Sequence, residues 1–236
     1  MSFVNSAMKR SAPSEAADLK GFREAAKDFR YLLNRGYPRR ASLELVGNRY
    51  QLSSEYRHLL HRSVFSDADS KSRLKKTVPL KGVRSQNLAI DGHNVLITIE
   101  AGLLGRPLIL GDDGFVRDIS GLSGSFKVTE TTEKALRLII NAIKKIKPRQ
   151  TLFLLDAPIS MSGKLAQQIR IQLKKENLPG NAMAVKVPEK ILLGFPGVAA
   201  TSDTAIIDTS ERVLDLAAYV LRRKVKMIQS RCQKKS

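Results

Sequence analysis

Three aspartates in this 236-residue chain each follow a short apolar run: Asp91 after Leu88-Ala89-Ile90, Asp156 after Thr151 to Leu155, and Asp203 just beyond Val198 to Ala200. Runs of that length and composition read as buried strands. In open parallel sheets the ligand crevice lies outside the carboxyl ends of the strands. Carboxylates gathered there repel one another unless a cation bridges them, and Mg²⁺ or Mn²⁺, which prefer hard oxygen ligands, would relieve that cost. Such an ion can position a water and steady the charge on a scissile phosphate. One aspartate after a strand is ordinarily a turn or helix cap. Three in the same relative position point to a metal site, with Asp91, Asp156 and Asp203 as its candidate ligands.

The elements that must position these residues alternate from Asn87 onward, which signals an α/β layered fold. Val95 to Leu104 reads as a buried helix. Leu108 to Leu110 and Phe115 to Arg117 flank Gly111-Asp112-Asp113-Gly114 as a hairpin with a tight turn. Ala135, Leu138, Ile139, Ala142, Ile143 and Ile146 mark an amphipathic helix, and another is expected from about Lys164. Ala182 to Val187 is a further strand, and a last helix is expected near Ser210. Ser160-Met161-Ser162-Gly163-Lys164 opens its helix beside Asp156. It is either an ordinary capped start or a phosphate site made of backbone N–H groups and Lys164.

Charge divides the chain more sharply than hydropathy does. The net charge is +19, but residues 1–86 hold 18 basic and 8 acidic residues, residues 87–221 hold 16 and 14, and residues 222–236 hold seven basic residues and no acid. Basic flanks around a nearly neutral centre imply a polyanionic partner. The N-terminal flank is helical. Leu19, Phe22, Ala26, Phe29 and Leu33 follow helical spacing up to a stop at Gly36-Tyr37-Pro38, a second helix covers Ser42 to Val46, and a third starts at Ser53 or Ser54. Arg35, Arg39, Arg40, Arg49 and Arg57 are interleaved there with Tyr31, Tyr37, Tyr50 and Tyr56. Guanidinium forks hold phosphates and tyrosine rings stack on unpaired bases, so RNA is the expected partner, with ribosomal RNA and tRNA among the candidates. Each tyrosine could equally cement a small core.

The polar segment 66–86 marks a domain boundary. The organisation expected is a basic helical domain over 1–75, a linker over 76–86, an α/β domain over 87–221 and a basic tail over 222–236. A lone cysteine, Cys232, excludes a disulfide framework and a thiolate metal site. His58 and His61 share a helix face without a third ligand, so zinc is not expected. The N-terminus lacks the apolar core of a signal peptide, and the most apolar stretch, Val95 to Leu104, is too short to span a bilayer. A cytoplasmic protein without a membrane partner is expected. Oligomeric state is not legible.

Ile90-Asp91-Gly92-His93-Asn94-Val95 resembles the opening motif of the PIN-like and NYN nucleases, an apolar strand followed by Asp-Gly-x-Asn. Thr201-Ser202-Asp203-Thr204-Ala205-Ile206-Ile207 is similar to their late Ser-Asp motif, and Leu154-Leu155-Asp156 to their mid-domain aspartate. The resemblance implies a PIN-like, Rossmann-like, mainly parallel sheet flanked by helices, which cuts RNA by metal-activated water. It further implies that Asn94 orients a ligand or phosphate and that Asp208 is a fourth acid. The acidic helix such nucleases carry before the late strand has no clean match between Ala182 and Ala200, and Asp118 or Glu133 could substitute. His93 could assist proton transfer to the leaving oxygen, or be satisfied by a nearby carboxylate. The whole chain also resembles the largely archaeal family called domain of unknown function 434, in which a helical part precedes such a domain.

These readings lead to a metal-dependent endoribonuclease. The rivals are a non-catalytic RNA- or ribosome-binding protein on the same fold, and a phosphate-ester hydrolase with a deep closed pocket for a small molecule.

Overall fold

The computed structural model describes residues 12–119, 126–222 and 228–229. Its elements in chain order are α1 (Ala12–Asn34), α2 (Arg39–Arg49), α3 (Ser54–Ser63), α4 (Asp67–Lys76), β1 (Asn87–Asp91), α5 (Gly92–Leu103), β2 (Leu108–Leu110) and β3 (Val116–Asp118). There follow α6 (Glu130–Ile146), β4 (Gln150–Asp156), α7 (Ser162–Lys175), β5 (Gly180–Val185) and α8 (Glu189–Leu192). The chain ends with β6 (Val198–Ala200), α9 (Thr204–Thr209), β7 (Val213–Leu214), α10 (Leu216–Leu221) and β8 (Ile228–Gln229). Two compact units result. Among the described residues, one comprises 12–74, 106–119 and 228–229, and the other comprises 75–105 and 126–222.

The first unit is built on helices. Ala25, Ala26 and Phe29 of α1 bury against Val46, Leu52, Leu60 and Val64, the helical spacing legible in the sequence. Ser53 caps α3 by accepting the Tyr56 N–H. The segment 67–76, expected as the start of a polar boundary, is helix α4, with Asp67 and Asp69 in its first turn, where they complement the helix dipole. The β2–β3 hairpin, expected within the α/β domain, belongs to this unit, and β2 also pairs in parallel with β8. One partly buried and one fully buried carboxylate at its tip explain why. Asp112 accepts from Arg30 at 2.6 and 3.0 Å and from the Phe65 N–H at 3.2 Å. Asp113 is fully buried and accepts from Arg117 at 2.7 and 2.8 Å and from Arg73 at 3.1 Å. The guanidinium groups of Arg39, Arg73 and Arg117 stand 4.4 to 5.1 Å from the centre of the Phe65 ring, within cation–π range.

The second unit holds a five-stranded, wholly parallel sheet in the order β5-β4-β1-β6-β7. It is an α/β fold with helices against the sheet. Ala135, Leu136, Ile139, Ile140, Ile143 and Ile146 form the buried face of α6, whose start is fixed by the reciprocal Thr129–Thr132 capping box. Chain order runs outward from β1 to β4 and β5, then returns to β6 and β7 on the other side. The order therefore reverses at β1 and β6, a topological switch point.

Residues 76–86, expected as a linker, are instead fastened to this unit. The Val78 N–H donates to the Val213 carbonyl at 2.9 Å, the Ser85 N–H to Lys147 at 3.0 Å, and the Arg149 N–H to Gln86 at 2.8 Å. The polar composition that reads as a linker belongs mostly to exposed side chains on a bonded backbone. The single last helix expected near Ser210 is three elements, α9, β7 and α10, with Asp215 capping α10 through the Ala218 N–H. The basic tail 222–236 lies outside the described residues apart from Arg222 and the β8 backbone. Among the described residues no helix is long and apolar enough to cross a membrane.

Candidate functional site

Asp91 closes β1 and is only 8% exposed. Helix α5 starts at the next residue, and Gly92 is what allows it. A Cβ there would lie 2.8 Å from the Leu154 carbonyl oxygen and 2.5 Å from a Leu155 methyl carbon of the neighbouring strand β4. The Asp91 carboxylate faces the residues that follow β6. Thr201, 2% exposed, donates its hydroxyl to Asp91 Oδ2 at 2.7 Å, and Thr201 Oγ1 accepts the Asp203 N–H at 3.0 Å. The hydroxyl thus gives its one proton to Asp91 and a lone pair to the Asp203 N–H.

Asp203 caps α9, with Oδ1 accepting the N–H groups of Ala205 and Ile206 at 2.9 and 3.2 Å. Asn94, in the first turn of α5, holds the same loop. Its Oδ1 accepts from the backbone N and the hydroxyl of Ser202, both at 3.0 Å. A backbone N–H can only donate, so the amide orientation is fixed and both Nδ2 hydrogens face away from this pair of bonds.

Asp156 closes β4. His93 Nδ1 lies 2.8 Å from Asp156 Oδ2 and 3.0 Å from its backbone N, so the ring is anchored to Asp156 whichever tautomer it takes. Burial pushes the His93 imidazolium below its ordinary pKa, against the opposing pull of Asp156, which leaves a neutral ring at pH 7. With 3% of its surface exposed, His93 is placed to orient Asp156. The Ser162 hydroxyl donates to the carbonyls of Asp156 and Ile159, pinning the turn between β4 and α7.

The electrostatics tie the strand ends together. The Asp91 carboxyl is pushed up to about 7, first by burial and then by the charges of Asp156, Asp203 and Glu189, while the Thr201 hydrogen bond opposes the rise. Glu189 is a member the sequence reading missed. It is the first residue of α8, between Ala182 and Ala200, where no acidic helix pattern is visible. The only hint is Pro-Glu, a helix-opening pair, after the β5 run. Thr201 opens the late Ser-Asp motif, but the sequence assigns it no role of its own.

The other candidates are dispersed. Asp208 is exposed near the end of α9, where Lys76 Nζ donates to the carbonyls of Ile207 and Asp208. Lys164 is exposed in the first turn of α7. Asp118 belongs to the first unit, 3.6 Å from Arg62, and Glu133 stands 3.8 Å from Arg137 on α6.

The arginines of the first unit divide. Arg39 donates to the carbonyls of His61 and Val64, and burial lowers its pKa to about 10, with Arg73 and Arg117 adding to the effect. Arg57 donates to Leu52 O and Asn48 Oδ1. These two hold the helices together. Arg35, Arg40 and Arg49 are exposed, with Arg49 3.7 Å from Asp28.

Among the described residues, no group of three His, Cys, Asp or Glu side chains converges into a ready-made metal cage. Asp91 is buried at the end of its strand, and its carboxyl is raised by the charges of the less buried Asp156, Asp203 and Glu189.

Comparison with known proteins bears on the family. Residues 80–219 match the family described as domain of unknown function DUF5616, and residues 21–76 match the one described as protein of unknown function DUF434. The uncharacterized protein MJ0935 of Methanocaldococcus jannaschii is 36% identical over 200 residues, spanning 84% of this chain and 95% of the relative. No solved structure matches. The DUF5616 match covers more than half of the chain and contains Asp91, Asp156, Glu189 and Asp203, so the protein belongs to the DUF5616 family, with a DUF434 segment ahead of that domain.

Proposed function

We propose that this chain is a divalent-metal-dependent endoribonuclease, its second unit a PIN-like domain of the NYN type and its basic first unit a grip for RNA. One observation carries the reading. A carboxyl buried at the switch point of a parallel sheet is raised to about 7 in the company of three other carboxylates. Such an arrangement costs free energy in isolation, and a bound cation offsets it. Mg²⁺ keeps much of its water and often takes only one or two carboxylates, so a preformed cage is not required. The ion would supply charge neutralisation and a polarised water for attack on a phosphodiester.

The chain's own residues have separable tasks in this scheme. Asp91, steered by Thr201, is the inner anchor. Asp203 offers Oδ2 while Oδ1 caps α9. Asp156 is oriented by His93, and Glu189 approaches from α8. Asn94, its oxygen locked by Ser202, can present N–H donors to a phosphate oxygen.

A second reading, a non-catalytic RNA- or ribosome-binding protein, is favoured by the structural duties of two acids, Asp203 as a helix cap and Asp156 as the partner of His93. Cleavage of RNA in Mg²⁺ or Mn²⁺ against a chelator control separates the two. The nuclease reading expects metal-dependent cleavage that Asp91→Asn lowers by about two orders of magnitude or more. Cleavage unchanged in Asp91→Asn with Asp203→Asn, or no cleavage of single-stranded and hairpin RNA by the wild type, overturns it.

A further inference from the structure

The four tyrosines of the helical unit have two different fates. Tyr50 and Tyr56 are partly buried against its core. The Tyr50 hydroxyl donates to Asp28 at 2.8 Å, and the Tyr56 ring lies 5.5 Å from that of Phe22. Tyr31 and Tyr37 are instead 56% and 57% exposed. Both belong to the corner where α1 gives way to α2.

That corner is closed by backbone hydrogen bonds. The Gly36 N–H donates to Leu33 O at 3.0 Å and the Tyr37 N–H to Leu32 O at 3.2 Å. Gly36 takes φ +78, the left-handed conformation that lets these two bonds form together. Pro38 then fixes the chain into α2. Tyr31, in the last turns of α1, and Tyr37, just past its end, are thus carried on one ordered backbone. Arg35 lies over the Tyr31 ring, 4.7 Å from its centre. The stretch from Tyr31 to Arg40 contains three arginines and no acid. Arg39 is committed inward, while Arg35 and Arg40 stay at the surface.

Large rings left in water cost free energy that a soluble corner without a partner has no reason to bear. An acidic peptide would use the arginines but not two flat exposed rings. A polyanion with flat, unpaired bases uses both.

We infer that the α1–α2 corner is a stacking platform for unpaired nucleobases, with Tyr31 and Tyr37 taking bases and Arg35 and Arg40 the flanking phosphates of single-stranded RNA. This deepens the RNA-binding part of the proposed function and is independent of the metal chemistry.

The test uses the full chain in chelator, so that no cleavage occurs. The probes are an oligoadenylate of about 12 nucleotides, a blunt, fully paired RNA duplex of similar charge, and polyglutamate. The protein has no tryptophan, so tyrosine emission reports stacking directly. Tyr31→Ala and Tyr37→Ala should each weaken oligoadenylate binding about 5- to 150-fold. The corresponding Phe variants should bind within about twofold of wild type, since the ring and not the hydroxyl stacks. Duplex binding should be unchanged, as should the thermal midpoint of every variant. Oligoadenylate bound equally well by both Ala variants overturns the platform, as does a Phe variant as weak as Ala. Competition by polyglutamate as strong as by oligoadenylate would assign the corner to an acidic protein instead. A platform that fails while metal-dependent cleavage persists removes this inference alone. Intact stacking without cleavage removes only the nuclease.

Discussion

The Thr201 hydroxyl lies 2.7 Å from Asp91 Oδ2 and accepts the Asp203 N–H at 3.0 Å, so one side chain joins the two carboxylate-bearing strand ends at the switch point of the sheet. Thr201→Val keeps the shape but leaves the Asp203 N–H without its acceptor and Asp91 without its donor. The expected cost is about 1–3 kcal/mol of stability, together with weaker Mn²⁺ binding. Thr201→Ser should restore both. Urea denaturation and a Mn²⁺ titration check this, and a Val variant identical to wild type in both would contradict it.

Asp91 sets a pH dependence whose sign is fixed. Its folded pKa, about 7, is above the unfolded value of 3.8, so the folded state holds this proton more tightly. The corresponding stability is fully present below about pH 4 and is lost as pH rises through about 7. Burial of His93 acts in the opposite direction, so the informative quantity is a difference between variants. Asp91→Asn should lose less stability than wild type between pH 5 and pH 8. Equal losses, measured by urea denaturation at both pH values, would remove the raised carboxyl from the account.

The hairpin tip of the first unit makes a stability prediction. Asp113 is fully buried between Arg73 and Arg117, and removing one member of a buried ionic group leaves uncompensated charge. Asp113→Ala should cost about 3–5 kcal/mol. The surface Lys144–Glu176 pair provides the contrast, and Glu176→Gln should leave stability close to that of the wild type. Thermal denaturation of the two variants distinguishes them directly.

RNA affinity should fall steeply with salt. Arg35→Ala and Arg40→Ala should each reduce the slope of log affinity against log salt by about 0.7. Arg39→Ala should instead lower the thermal midpoint, because its guanidinium holds the carbonyls of His61 and Val64. An unchanged slope in both exposed-arginine variants would place the RNA elsewhere.

What could be seen in the sequence was whatever local pattern determines. The Ala135–Ile146 stripe, the Ser53 cap and the aspartates at the ends of β1 and β4 all depend on residues a few positions apart, and the structure has them as read. The home of the hairpin did not, because Asp112 meets Arg30 across 82 positions and Asp113 meets Arg73 across 40. Glu189 was missed for the same reason: its effect on Asp91 arises only once β5 and β1 share a sheet. The 76–86 segment misled because backbone bonds to Val213 and Lys147 leave no mark on composition. Arg39 and Arg57 show the limit of charge patterning, since an arginine that holds carbonyls and one that faces solvent look alike in a sequence.

The most direct test of the central claim is a Mn²⁺ titration of the wild-type chain followed by electron paramagnetic resonance, with Asp91→Asn as the control. A divalent-metal centre at the strand ends predicts saturable binding near one ion per chain, tighter at pH 8 than at pH 6 because the Asp91 proton must leave, and at least about tenfold weaker in Asp91→Asn. Binding that is absent in the wild type, or equal in the two proteins, would contradict it.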